Sequence, residues 1–152
     1  MTAYARRATP EDAYYLAPRL RADDLRELEA AGSEGPLSSL LTGIESPDGA
    51  WVGEGKGGPF CIFGTVPSPE PEAGFVWLLA TDGIKDNQIA FLRQSLSWMG
   101  LFHAQYPILC NHADARNTLH IKWLRWLGFT FINQRPIGKN GEVFLEFARL
   151  HV

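Results

Sequence analysis

Residues 108–131, ILCNHADARNTLHIKWLRWLGFTF, carry the strongest local signals in the chain. Ile108, Leu109 and Cys110 form a short apolar run after Pro107 and read as a buried strand. Asn111, His112 and Asp114 crowd the end of that strand with polar groups. Asn117 or Thr118 can cap a helix by accepting a hydrogen bond from a free first-turn N–H. Leu119, Trp123, Trp126 and Leu127 follow at helical spacing, with Leu124 beside them. Gly128 can take the left-handed conformation that stops a helix, and Phe129 opens a new strand. The stretch is thus a βαβ-like unit, and the remainder reads as the sheet it docks on.

The chain has 152 residues, enough for one domain with its own core, read here as a single domain over 1–152. A net charge of −3 argues against a general nucleic-acid binder, which carries a basic excess. Cys61 and Cys110, each inside an apolar run, read as two buried thiols of a reducing compartment. The N-terminal residues lack an apolar signal core, which implies a cytoplasmic protein, and no run is long enough to span a membrane. The two cysteines and four histidines show no closed metal-site spacing, so no metal is expected.

Working outward, residues 3–8 read as a first strand. Thr9-Pro10-Glu11-Asp12 starts a helix, with Thr9 as N-cap, and Pro18 interrupts it. Asp23 or Asp24 opens a second helix that Gly32 stops, read as an exposed acidic–basic helix. Residues 36–42 suggest a third helical piece. Residues 50–54 and 60–66 read as a hairpin. Residues 74–81, GFVWLLAT, are apolar on both faces and mark the central strand, with Trp77 and Leu79 on one face and Val76 and Leu78 on the other. Asp82-Gly83 is a turn. Residues 87–105 form the longest helix, with Ile89, Leu92, Leu96, Met99 and Phe102 as its buried stripe. Two last strands pair across residues 138–141.

This order resembles the GNAT fold, that of the acetyl-CoA-dependent N-acyltransferase superfamily. Asn117, followed after ten residues by Gly128-Phe129, resembles the last conserved helix of that family. The run NHADARNTLHIKWLRWLGFTF is further similar to GNAT-like proteins of tailed phages, some of them internal virion or core-assembly proteins. The resemblance implies an α/β fold: a mixed sheet of about six to seven strands with helices on both faces. It also implies a coenzyme A thioester donor, acetyl-CoA, and an amine acceptor if the protein is active. Otherwise it implies protein partners in a phage particle, in the host cytoplasm or the virion.

The resemblance places the cofactor pyrophosphate on residues 82–88, where a helix start offers N–H groups. Backbone groups of Leu79, Ala80 and Thr81 would pair with the pantetheine arm. Gly83, Lys85, Asn87, Gln88, Ala90 and Asn117 complete the expected cofactor set, with Gln88 where the family carries its first loop glycine. The family's acid, a tyrosine seven residues after the Asn, is Leu124 here. The family's base is often a Glu on the central strand. Residues 74–81 hold no carboxylate, and Glu70 and Glu72 lie in the preceding loop.

The local substitutes are His112, Asp114 and His120, since a histidine titrates near neutrality. Each also has a structural reading: Asp114 caps a turn, His112 is exposed, and His120 covers a helix face. Trp123 and Trp126 read as core and packing surface, and Lys122 and Arg125 as a solvated face. Two functions remain open: an acyltransferase with an unusual acid/base set, or a GNAT-shaped interaction protein.

Overall fold

The computed structural model of the protein describes residues 4–151. Among them, seven strands form one open sheet with helices on both faces. The strands are β1 (Tyr4–Arg7), β2 (Ala50–Gly55), β3 (Gly58–Pro67), β4 (Ala73–Ala80), β5 (Ile108–Asp114), β6 (Thr130–Arg135) and β7 (Phe144–Leu150). They lie in the order β1-β2-β3-β4-β5-β7-β6. Ala3, expected in the first strand, lies outside the described residues. The helices are α1 (Pro10–Leu16), α2 (Ala22–Ala30), α3 (Pro36–Glu45), α4 (Gln88–Gln105) and α5 (Thr118–Trp126).

β4 is the middle strand, as its two-sided apolar sequence requires. Leu79 and Trp77 pack with α1 and α3 through Leu16 and Leu40. Val76, Leu78 and Ala80 face α4 and α5 through Phe91, Met99 and Leu124. Gly43 lets α3 press close to the sheet, because a Cβ there would meet Trp77 at 2.5 Å. Gly128 closes α5 with φ 89°, a conformation costly for any other residue.

The βαβ reading of residues 108–131 needs a refinement. β7 inserts between β5 and β6, antiparallel to both, so β5 and β6 run parallel without touching. The expected Asp82-Gly83 turn is a 3-10 helix, Asp82–Asn87, running straight into α4. Cys110 is only half-buried, while Cys61 is fully buried; both are free.

The stripe assigned to α4 is displaced. Ile89 is 70% and Leu96 48% exposed, and the buried side carries Phe91, Ser95, Met99 and Phe102. Phe91 stacks on Trp123 and meets Phe60 and Phe63 edge-on, so the aromatic side of α4 wins the core. Apolar residues ring this helix, and periodicity alone does not choose between its faces.

β4 and β5 pair in parallel only over Ala73–Phe75 and Ile108–Cys110. The next link is a side chain: Asn111 Nδ2 donates to the Val76 carbonyl at 3.0 Å. Beyond it the ladder stops, although both strands continue.

Replacing the buried Met99 (2% exposed) with Ala should cost about 2–5 kcal/mol. Leu96→Ala should cost less than about 1 kcal/mol. Urea unfolding of both variants checks the assignment, and equal losses would contradict it.

Candidate functional site

The gap between β4 and β5 is filled from α2, by side chains that a reading of an exposed helix missed. Asp24 and Glu27, one turn apart, are 3% and 9% exposed. Asp24 Oδ2 accepts the Ala80 N–H at 2.9 Å, and Oδ1 accepts from Asn117 Nδ2 at 2.9 Å and Arg21 Nη1 at 3.0 Å. The Arg21 N–H returns a bond to the Ala80 carbonyl at 2.8 Å. Glu27 Oε1 accepts the Asp114 N–H at 2.6 Å, at the far end of β5. α2 therefore ties β4 to β5 through two carboxylates where the ladder has ended.

Glu27 also reaches His120 on α5: Oε2 lies 3.3 Å from Nδ1. The contact does not form an aligned hydrogen bond, so the buried Nδ1 has a charge contact rather than a hydrogen-bond partner. Burial opposes the imidazolium, but the charges of Glu27 and Asp24 outweigh it, and the His120 pKa stands above its ordinary 6.5. Burial likewise lifts the Asp24 pKa, against the pull of Asn117, Arg21 and the Ala80 N–H.

Two clefts open on this gap. One, of about 230 Å³, lies between α4 and α5; Phe91, Leu119 and Trp123 wall it, Gln88 and Lys122 rim it, and Arg21, Asp24 and His120 form its floor. The other, of about 300 Å³, lies on the opposite face of the sheet, under α2 and α3. Leu78 and His120 line both clefts, so the two meet at the gap.

The expected catalytic set is divided. His120 stands at the junction. His112 lines the second cleft, half-exposed, with Nε2 3.9 Å from Glu146 Oε2. Asp114 lines neither cleft: its carboxylate accepts the Arg116 N–H and side chain, and these bonds hold its pKa below 3.8 although burial would raise it. Leu124, at the position where the resemblance would put an acid, is buried in the core one turn beyond His120.

Of the expected cofactor residues, Ala80 and Gln88 line the α4–α5 cleft. Leu79 pairs with Ile62 on the β3 side, and its side chain is in the α1–α3 core. The Thr81 N–H donates to the Phe60 carbonyl, and its Oγ1 accepts the Gly83 N–H. Asn87 donates to the Gly83 carbonyl at 2.9 Å. Lys85 is exposed, and Ala90 packs half-buried on the core. Asn117 occupies the N-cap position of α5, but its side chain turns inward to Asp24 instead of capping. The sequence signal for the missed acids is their spacing: Asp24, Leu28 and Ala31 share one helix face with Glu27.

Asp24→Ala would leave buried Arg21 and the Ala80 N–H without their acceptor and should cost about 3–5 kcal/mol by urea unfolding. Arg116→Ala, which leaves the Arg116 N–H as a remaining donor to the buried Asp114 carboxylate, should lower stability less than Asp24→Ala does in the same measurement. His120 adds a pH signature. Its raised folded pKa gives stability that is complete below 6.5 and lost as pH rises through the folded value. His103, whose pKa burial lowers, works oppositely, losing stability as pH falls through its folded value. Unfolding from about pH 6 to about pH 9 should therefore show an alkaline loss that His120→Gln removes. An unchanged profile would contradict the His120–Glu27 contact.

No protein-family model matches the chain, and no curated protein is significantly similar to it. Solved structures do match. An acetyltransferase of the GNAT family from Streptococcus pneumoniae has a TM-score of 0.68 at 14% identity, covering 99% of each chain. Ard1 from Thermoplasma volcanium has a TM-score of 0.73 at 12% identity, over 100% of this chain and 99% of its own. AAC(6')-Ib, solved in complex with ribostamycin and coenzyme A, has a TM-score of 0.71 at 9% identity, over 99% of this chain and 94% of its own. The protein thus has the fold of the GNAT acetyltransferases: an open mixed sheet with helices on both faces.

Proposed function

We propose that the protein is an N-acyltransferase that takes its acyl group from a coenzyme A thioester such as acetyl-CoA and passes it to an amine. One observation carries this reading: two clefts on opposite faces of the sheet meet at Leu78 and His120. A donor and an acceptor entering from the two sides would meet there.

The arm of the donor fits the α4–α5 cleft. By the alternation that aims Ala80 at Asp24, the N–H and C=O of Leu78 face the same gap. They offer an extended amide a strand-like partner. The Ala80 N–H is already taken by Asp24, so Leu78 would carry this role. The nucleotide end is less well provided for. Thr81 holds the N–H groups of Gly83 and Ile84, and the 3-10 turn pairs later ones internally. Lys85 and Lys122 would supply the nearby positive charge.

Bound there, the donor supplies a thioester carbonyl open to attack by an amine. The acceptor must shed a proton, and His120 is placed to take it. Its Nδ1 lies against Glu27, leaving Nε2 to exchange protons. Glu27 stabilises the imidazolium once it forms, and Asp114 fixes Glu27 through its N–H.

A second reading has its own observation. Asp24 occupies the β4 edge, and the turn before α4 spends its amides internally. These features suit a GNAT-shaped interaction protein, such as a component of a phage particle. Calorimetry and thermal shift with acetyl-CoA separate the two. Donor at about a hundred times its dissociation constant should stabilise the protein by about 2.7 kcal/mol. His120→Gln should lower kcat by about 10²–10⁴-fold with little change in donor binding. No heat and no shift at about millimolar donor would set the enzyme reading aside for the second.

A further inference from the structure

We infer that the cleft under α2 and α3 takes a small primary amine with an apolar, preferably aromatic, body and a single cationic head seated against Glu27. This rests on the acyl-transfer reading only for its purpose; the cleft and its lining stand independently. At about 300 Å³ it is at the lower end of small-molecule sites. Its walls are Leu28, Phe75, Trp77 and Phe144, and the Trp77 ring packs closely against Gly43.

Among the described residues, Glu27 is the one carboxylate lining this cleft, and His112 and His120 are its other ionisable groups. A polyamine would bury further ammonium groups against apolar walls with no anion to meet them. A monoamine places its one charge at Glu27 and its body against the aromatic walls, where burial and ring contacts favour it.

Charge balance at the cleft floor adds a second consequence. From α2, Asp24 is matched by Arg21 and by donors from Ala80 and Asn117. Among the described residues, Glu27 faces only His120 as a charged partner, since its other bond is to the Asp114 N–H. On β5, Asp114 is held by Arg116; on β7, Glu146 is held by Arg135 and His112. An ammonium arriving at Glu27 Oε2 therefore competes with the imidazolium for the same charge. His120 releases its proton to the buffer as the amine binds, and the neutral ring that remains is the form able to accept a proton.

The test uses the natural protein without any donor and 2-phenylethylamine as the probe. Calorimetry near pH 6, in two buffers of different ionisation heat, should show binding with release of about one proton per amine. Spermidine should bind at least about tenfold more weakly. Glu27→Gln keeps the acceptor for the Asp114 N–H and should weaken the amine by about tenfold or more. Thr42→Trp, at an exposed position on the cleft wall, should block the probe without unfolding the protein. Spermidine binding as tightly as the probe, or probe binding indifferent to both substitutions, would overturn the inference. Amine binding without transfer from acetyl-CoA would remove the enzyme reading and leave the inference standing. Transfer to spermidine with no binding of 2-phenylethylamine would do the reverse.

Discussion

The structure depends on one constraint: two strands that diverge inside a buried sheet must have their exposed amides satisfied. β4 and β5 stop pairing after Phe75 and Cys110, and the groups left facing the gap lie where water is scarce. An unpaired buried amide costs about 1–3 kcal/mol, so something must fill the gap. Asp24 and Glu27 do so, one at Ala80 and the other at Asp114. The carboxylates in turn meet the charges of Arg21 and His120 and a hydrogen bond from the Asn117 amide. A buried charge is tolerable only with such partners, which is why α2, β4, β5 and α5 are locked together here.

The same arrangement creates the candidate site. Strands that paired along their full length would leave no passage between the faces of the sheet. With a polar bridge in place of a ladder, a cleft opens on each side, and Leu78 and His120 border both. The histidine belongs at once to the bridge and to the passage. Glu27, which holds the end of β5, also sets the charge of that ring. Stability and the proposed proton transfer would both run through this one side chain, so changes at Glu27 should act on both.

Much of the frame was legible in the sequence. GFVWLLAT identifies the central strand because apolar side chains on both faces need cover on both faces. Thr9-Pro10 and Gly128 mark helix ends through local backbone chemistry. Local patterns fail where partners are distant. Asp24 meets Ala80 across 56 residues and Asn117 across 93, and Glu27 meets Asp114 across 87. A carboxylate looks the same in sequence whether water or a strand end receives it, so these acids read as a solvated face. Asn117 was visible as an N-cap, but its side chain found a stronger, charged partner. The face of α4 failed for another reason: apolar residues surround the helix, and only the aromatic packing of Phe91 on Trp123 decides which side is buried. His120 was legible as a candidate, but its role at the junction depends on Glu27, which was not.

Native-state hydrogen exchange at the amides of Ala80 and Asp114 tests this account most directly. Both N–H groups face the gap, and their acceptors are side chains of α2. If α2 bridges the strands as described, both should be protected to the level of the core amides of β4 and exchange only when α2 and the sheet open together. Exchange of either amide at the rate of an exposed loop would contradict the bridge, and with it the origin assigned to both clefts.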